Sequence, residues 1–164
     1  MTYRTVCKDS KRLRSMTGFD RRGFEVLHGV FAEVALAYLR HFTWEGKERQ
    51  RRYSVKRDSV FKSTEDMLLF LLSYLKNNPL QEYHAALFGM TQPQANVRIG
   101  LLTGWLHTSL ERLGELPAGT QQHFDRAVSE ATELLLDGTE RPIPRSVDYQ
   151  TQEEHFSGKK SGTR

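Results

Sequence analysis

At 164 residues the chain has room for one ordinary domain, or a small domain with further segments, and 38% hydrophobic against 27% charged residues is the balance of a water-soluble protein. The longest apolar run, Met67 to Leu72, is far too short to span a bilayer, the N-terminal MTYRTVCKDSKRLR has no apolar signal core, and the single Cys7 excludes an internal disulfide. Membrane transporters and disulfide-built secreted scaffolds are therefore excluded as classes, and a cytoplasmic location with no membrane partner is the expectation. The net charge of +4 is unevenly spread: residues 1–114 carry an excess of seven positive charges, whereas acids outnumber bases by six over residues 115–156.

Taken in chain order, the first predicted helix runs from Asp20 to about Phe42. Phe24, Leu27, Phe31, Val34, Ala35, Tyr38 and Phe42 recur at three-and-four spacing and mark its inward face. Thr17 or Asp20 can cap its start, and Arg40 and His41 suit its negative end. His28 and His41 have no cysteine or carboxylate at ligand spacing and read as surface or edge residues.

Residues 43–63 are polar and cationic with no periodicity, which predicts a loop or extended arm pinned by Tyr53, Val55 and Phe61. Within it KERQRRYSVKR, Lys47 to Arg57, holds six cations and one acid. Arg49, Arg51 and Arg52 are its candidate contacts to a polyanion, since cations that neutralise phosphates release condensed counterions. Taken alone, such a run is more commonly a solvated charged loop.

Residues 64–114 parse into three helices. Ser63 or Thr64 caps EDMLLFLLSYLKN, whose near-continuous Met67 to Leu72 demands burial on most sides and predicts the core helix. Asn78 as cap and Pro79 in the first turn predict a short second helix to Phe88, stopped by Gly89. Thr91-Gln92-Pro93-Gln94 is a capping box. It opens a third helix to about Leu113, with Val97, Leu101, Leu102, Trp105, Leu106, Leu110 and Leu113 inward. Gly100 and Gly104, four apart, are expected to permit close packing of a neighbouring helix. His84, His107 and His123 are assigned no chemistry.

Two helices joined by Gly89, Met90 and Thr91 form a helix-turn-helix pattern, in which the first turns of the second helix enter the major groove. Thr91, Gln92, Gln94, Asn96 and Arg98 are then the DNA-binding candidates: amides pair bidentately with adenine and Arg with guanine. Each is also an ordinary capping or surface residue, and it is the combination that points to double-stranded DNA.

Beyond Pro117 a further amphipathic helix is predicted from Thr120 to Glu133, with Phe124, Val128 and Ala131 inward. Leu134 to Leu136 then read as a short buried strand delivering Asp137 to its end, with a partner strand near Ile143. A carboxylate at a strand end is where metal-dependent phosphoryl chemistry places one, although Asp137-Gly138 between apolar residues reads equally as a tight hairpin turn. The polar residues 147–164 are expected to be disordered.

The string DGTERPIPR, followed by a polar spacer and SGKK, is similar to the first strands of bacterial insertion-sequence transposases with a DDE, ribonuclease-H-like core. LQEYHAALFGMTQPQANVRIGLL resembles the helix-turn-helix that precedes that core, and GFDRRGFEVL and GKERQRRY resemble the family's N-terminal part. The resemblance covers nearly the whole chain. It implies a mainly α fold, a helical bundle containing a helix-turn-helix, followed by the first strands of a truncated ribonuclease-H-like α/β domain. The corresponding segments are 1–62, a helical part with a basic arm; 63–114, the DNA-binding domain; and 115–164, a linker helix and the start of the catalytic domain. It further implies that Asp137 is the first of three metal-binding acids and that the completed catalytic domain uses Mg2+. The implied partners are the double-stranded DNA of the terminal inverted repeats and the downstream-frame catalytic part or full-length transposase, with nucleoid association when bound to DNA. The chain ends before a second Asp and a Glu, so alone it is expected to bind DNA without cutting it.

The ending Ser161-Gly162-Thr163-Arg164 departs from the family's further basic residues and His-Thr pair. If Lys159-Lys160-Ser161 is encoded AAA AAA AGC, a slip to the −1 frame restores Lys-Arg-His-Thr. A programmed frameshift and gene decay both give this tail. A stand-alone helix-turn-helix regulator, or an inhibitor of transposition, is the alternative reading of the same residues.

Overall fold

The computed structural model describes residues 1–117, 119–130 and 147–148. The chain divides into two compact units, Met1–Gly119 and Thr120–Arg164. The first unit contains α1 (Tyr3–Val6), α2 (Ser10–Thr17), α3 (Arg21–His41), α4 (Thr64–Asn77), α5 (Gln81–Leu87) and α6 (Gln92–Leu113). The second contains α7 (Gln121–Glu130). The described residues are thus mainly helical, and their one β feature is an isolated antiparallel bridge between Phe42 and Glu48. The strands expected at Leu134 to Leu136 and near Ile143 lie outside the described residues. No described helix is long and apolar enough to cross a membrane.

α4 forms the centre of the first unit because it is apolar nearly all round: every residue from Met67 to Leu72 is buried. It packs against α1, α2, α3 and α6. Ser63 Oγ accepts from the Asp66 amide at its start. At its end Asn78 adopts the left-handed conformation, φ 42°, and its amide donates to Tyr74 O. This corrects the expected punctuation. Asn78 closes α4 rather than opening α5, because asparagine tolerates the left-handed region that a helix C-terminus needs. Pro79 and Leu80 form the connection, and α5 starts at Gln81.

α3 begins where Asp20 Oδ1 accepts from Gly23 N at 2.7 Å and buries Phe24, Leu27, Phe31, Ala35 and Leu39. Phe42 lies outside that face, 36% exposed, because the helix stops at His41 and the chain turns extended. α3 packs on α6, where Ala95, Leu102, Trp105, Leu106 and Ser109 are buried. Val97, expected inward, is 47% exposed, and the buried position of that first turn is Ala95. Gly100 and Gly104 face open space: a Cβ added at either would meet nothing within 4 Å. The expected close helix packing at this pair is therefore absent in the described residues.

The N-terminal α1 and α2 close the bundle with Val6, Leu13 and Thr17. Asp9 caps α2 by accepting from the Lys11 and Arg12 amides, and Gly18, φ 83°, ends it. The buried Asp66 ties three segments together: its Oδ1 accepts from Tyr3 N at 2.7 Å and its Oδ2 from Lys62 N at 3.2 Å. In the second unit, α7 carries the i,i+4 pair Arg126–Glu130 at 3.1 Å. Phe124, expected inward, is 53% exposed, while Val128 is half-buried. Ala131 lies outside the described residues.

Candidate nucleic-acid interface

α5 and α6 pack against each other across a turn built by two backbone bonds. Gly89 N donates to Ala86 O at 3.1 Å and Met90 N to Ala85 O at 3.0 Å, the Schellman pattern, with Gly89 at φ 69°. A side chain at that φ is strained, so glycine is the residue that lets the chain leave α5 and re-enter a helix within four residues. Ala85 on α5 and Ala95 on α6 are both buried.

Below this pair, His84 locks α5 to α4. It is 2% exposed, and its Nε2 donates to Phe70 O at 3.0 Å. Its ring lies between Phe70, Tyr74 and Phe88 at centroid distances of 4.6, 5.4 and 5.0 Å. Burial holds its pKa below the ordinary imidazole value, opposed by the bond to the Phe70 carbonyl. It is a satisfied core histidine. His28 bonds Thr64 Oγ1 at 2.8 Å and lies 3.7 Å from Glu65 Oε2, a link between α3 and α4.

At the start of α6, Gln94 Oε1 accepts from Thr91 N at 3.1 Å, the reaching-back half of the capping box. Thr91, Gln92, Gln94 and Asn96 are all exposed. Gln94 is thereby engaged in its own helix cap. Gln92 and Asn96 sit one turn apart, and both bond the same partner on α5. Gln92 Nε2 donates to Gln81 Oε1 at 2.9 Å, and Gln81 Nε2 donates to Asn96 Oδ1 at 3.3 Å and to the Tyr74 hydroxyl at 3.4 Å. Gln81 was not among the residues that the sequence singled out. No local spacing marks it: Gln81 meets Gln92 and Asn96 through the way α5 packs on α6.

Arg98 turns the other way. Its guanidinium carbon lies 5.4 Å from the Trp44 ring centroid and 5.7 Å from that of Phe61, and Nη1 donates to Met90 Sδ at 3.8 Å. Among the described residues its buried Nε has no hydrogen-bond partner. Burial lowers its pKa while nearby Glu45 acts in the opposite direction. Arg98 therefore fastens the loop 43–63 to α6 through two aromatic faces. Trp44 also lies 5.7 Å from Trp105 and 5.8 Å from Phe61, so both ends of the basic loop are anchored on the α6 side of the bundle.

Within that loop the three candidate arginines divide. Arg49 is half-buried: its Nε donates to Phe42 O at 2.8 Å and its guanidinium lies 5.1 Å from the Tyr53 centroid. It satisfies a carbonyl left over at the end of α3. Arg51 and Arg52 are exposed, as are Lys47, Lys56 and Arg57. The exposed cations thus project from an arm whose two ends are held beside α6.

Among the described residues no group of three or more His, Cys, Asp or Glu side chains is placed to hold a metal ion. Asp137, the residue expected to bind Mg2+, lies outside the described residues. The chain matches no protein-family model, and no curated protein or solved structure is found to be similar to it.

Proposed function

We propose that the chain is the DNA-binding N-terminal portion of an insertion-sequence transposase, which recognises the terminal inverted repeats of its element. The observation that carries this reading is the α5–turn–α6 unit, with Gly89 at φ 69° and the exposed amides of Gln92 and Asn96 on the first turns of α6. The arm bearing Arg51 and Arg52 supports it, because these cations are exposed and the arm is anchored beside α6 through Arg98. In this reading α6 enters the major groove, the arm neutralises flanking phosphates, and base edges are read by amide side chains. Asp137 would contribute the first metal-binding carboxylate of the catalytic domain.

The test is fluorescence anisotropy of a labelled random-sequence duplex over a salt series. Binding is expected to weaken linearly on logarithmic axes, and Arg51→Ala and Arg52→Ala should each reduce the slope by about 1. Absence of salt-dependent binding overturns the reading. A stand-alone helix-turn-helix regulator shares all of the geometry, since the whole interface lies in the Met1–Gly119 unit. The two separate on cleavage: joined to its downstream frame, the transposase cuts DNA in the presence of magnesium and loses that activity in Asp137→Ala, whereas a regulator cuts nothing.

A further inference from the structure

We propose that Gln81, Gln92 and Asn96 form a pre-set adenine-reading device, in which Gln92 and Asn96 touch base edges and Gln81 is the positioning residue that holds both. The inference rests on the DNA-binding reading above and adds which bases are read and by what arrangement.

A primary amide has two N–H donors and a carbonyl with two lone pairs. Gln92 uses one donor on Gln81 Oε1, leaving its other N–H and its Oε1 free. That remaining pair is the complement of the adenine major-groove edge, where N7 accepts and N6 donates. Asn96 uses one carbonyl lone pair on Gln81 Nε2 and keeps both N–H groups and the other lone pair, again a donor and an acceptor side by side. Guanine offers two acceptors on this edge, N7 and O6, so an amide presenting one donor and one acceptor matches it less well.

Position supports the chemistry. Gln92 is the first residue of α6 and Asn96 follows four later, about 6 Å further along the same face. Both are exposed, whereas Gln81 is half-buried between them and the Tyr74 hydroxyl. A free glutamine samples many rotamers and loses that freedom on binding. Here the loss is incurred on folding, so the amides meet the duplex already oriented. Arg98, the residue best suited to guanine, is stacked on Trp44 and Phe61 and directed away from this group.

The experiment is selection of preferred duplexes from a random pool by the full chain, followed by competition between the selected site and its single-base variants. The selected site is expected to contain A·T pairs at which substitution by G·C weakens binding about 10-fold or more. Gln92→Ala should erase the preference at one of these positions. Gln81→Ala, which touches no base, should weaken the preference at both. A site in which Gln92→Ala and Gln81→Ala change no A·T preference overturns the proposal while leaving DNA binding intact. Failure of the chain to bind any duplex in a salt-dependent way overturns both readings together.

Discussion

His84 predicts how stability responds to mild acid. Its ring is 2% exposed and donates to the Phe70 carbonyl, and burial holds its pKa below the ordinary value. The unfolded chain therefore takes up a proton near pH 6.5, about the ordinary imidazole pKa, and the folded chain only at a lower pH. Above that pH both states are neutral and the contribution of His84 is fully present. As the pH falls below it, the unfolded state gains a proton that the native state lacks, and stability is lost at up to about 1.4 kcal/mol per pH unit until the folded pKa is reached. Urea unfolding followed by the fluorescence of Trp44 and Trp105 should show this between about pH 7.5 and about pH 5.5. His84→Gln keeps an N–H donor but cannot titrate, so the comparison concerns slopes and not absolute stabilities. Over that window the wild type should lose more stability than the variant, by an excess set by how far burial lowers the folded pKa. Parallel stability curves for the two proteins would refute the assignment of His84 as a neutral core histidine.

Gly100→Ala and Gly104→Ala should each raise stability by up to about 1 kcal/mol, because nothing lies within 4 Å of the added methyl and the helix gains in propensity; the urea midpoint reads this directly. Asp66→Ala leaves the amides of Tyr3 and Lys62 without their acceptor and should cost at least about 2 kcal/mol, at about 1–3 kcal/mol for each orphaned group, measured in the same titration. Arg98→Ala removes a stem packed on two aromatic rings and should cost about 1–2 kcal/mol, measured in the same way.

The long helices were legible because their burial has a period. Phe24, Leu27, Phe31 and Ala35 mark one face of α3, and the unbroken Met67 to Leu72 run marks a helix enclosed by others. α2 was hidden by its composition: SKRLRSMT is mostly polar, and only Leu13 and Thr17 are buried. Asn78 misled because the residue types that cap a helix start overlap with those that tolerate a left-handed end. At the candidate site the turn and the capping residues could be read locally, but the roles of Arg98 and Arg49 could not. Each is decided by aromatic and carbonyl partners in or beside a loop with no periodicity, Trp44 and Phe61 for one and Tyr53 and Phe42 for the other. Val97 was expected inward from its spacing, but the buried position in the first turns of α6 is Ala95.

The two oxygens of Asp66 hold the first turn of the chain and the point at which the basic arm rejoins the bundle. An opening that withdraws this carboxylate frees both segments at once, so the Tyr3 and Lys62 amides belong to one cooperative unit of hydrogen exchange despite their separation in sequence. The end of the arm is thereby fastened from inside the core, by the start of α4, through the same side chain that holds the amino-terminal turn.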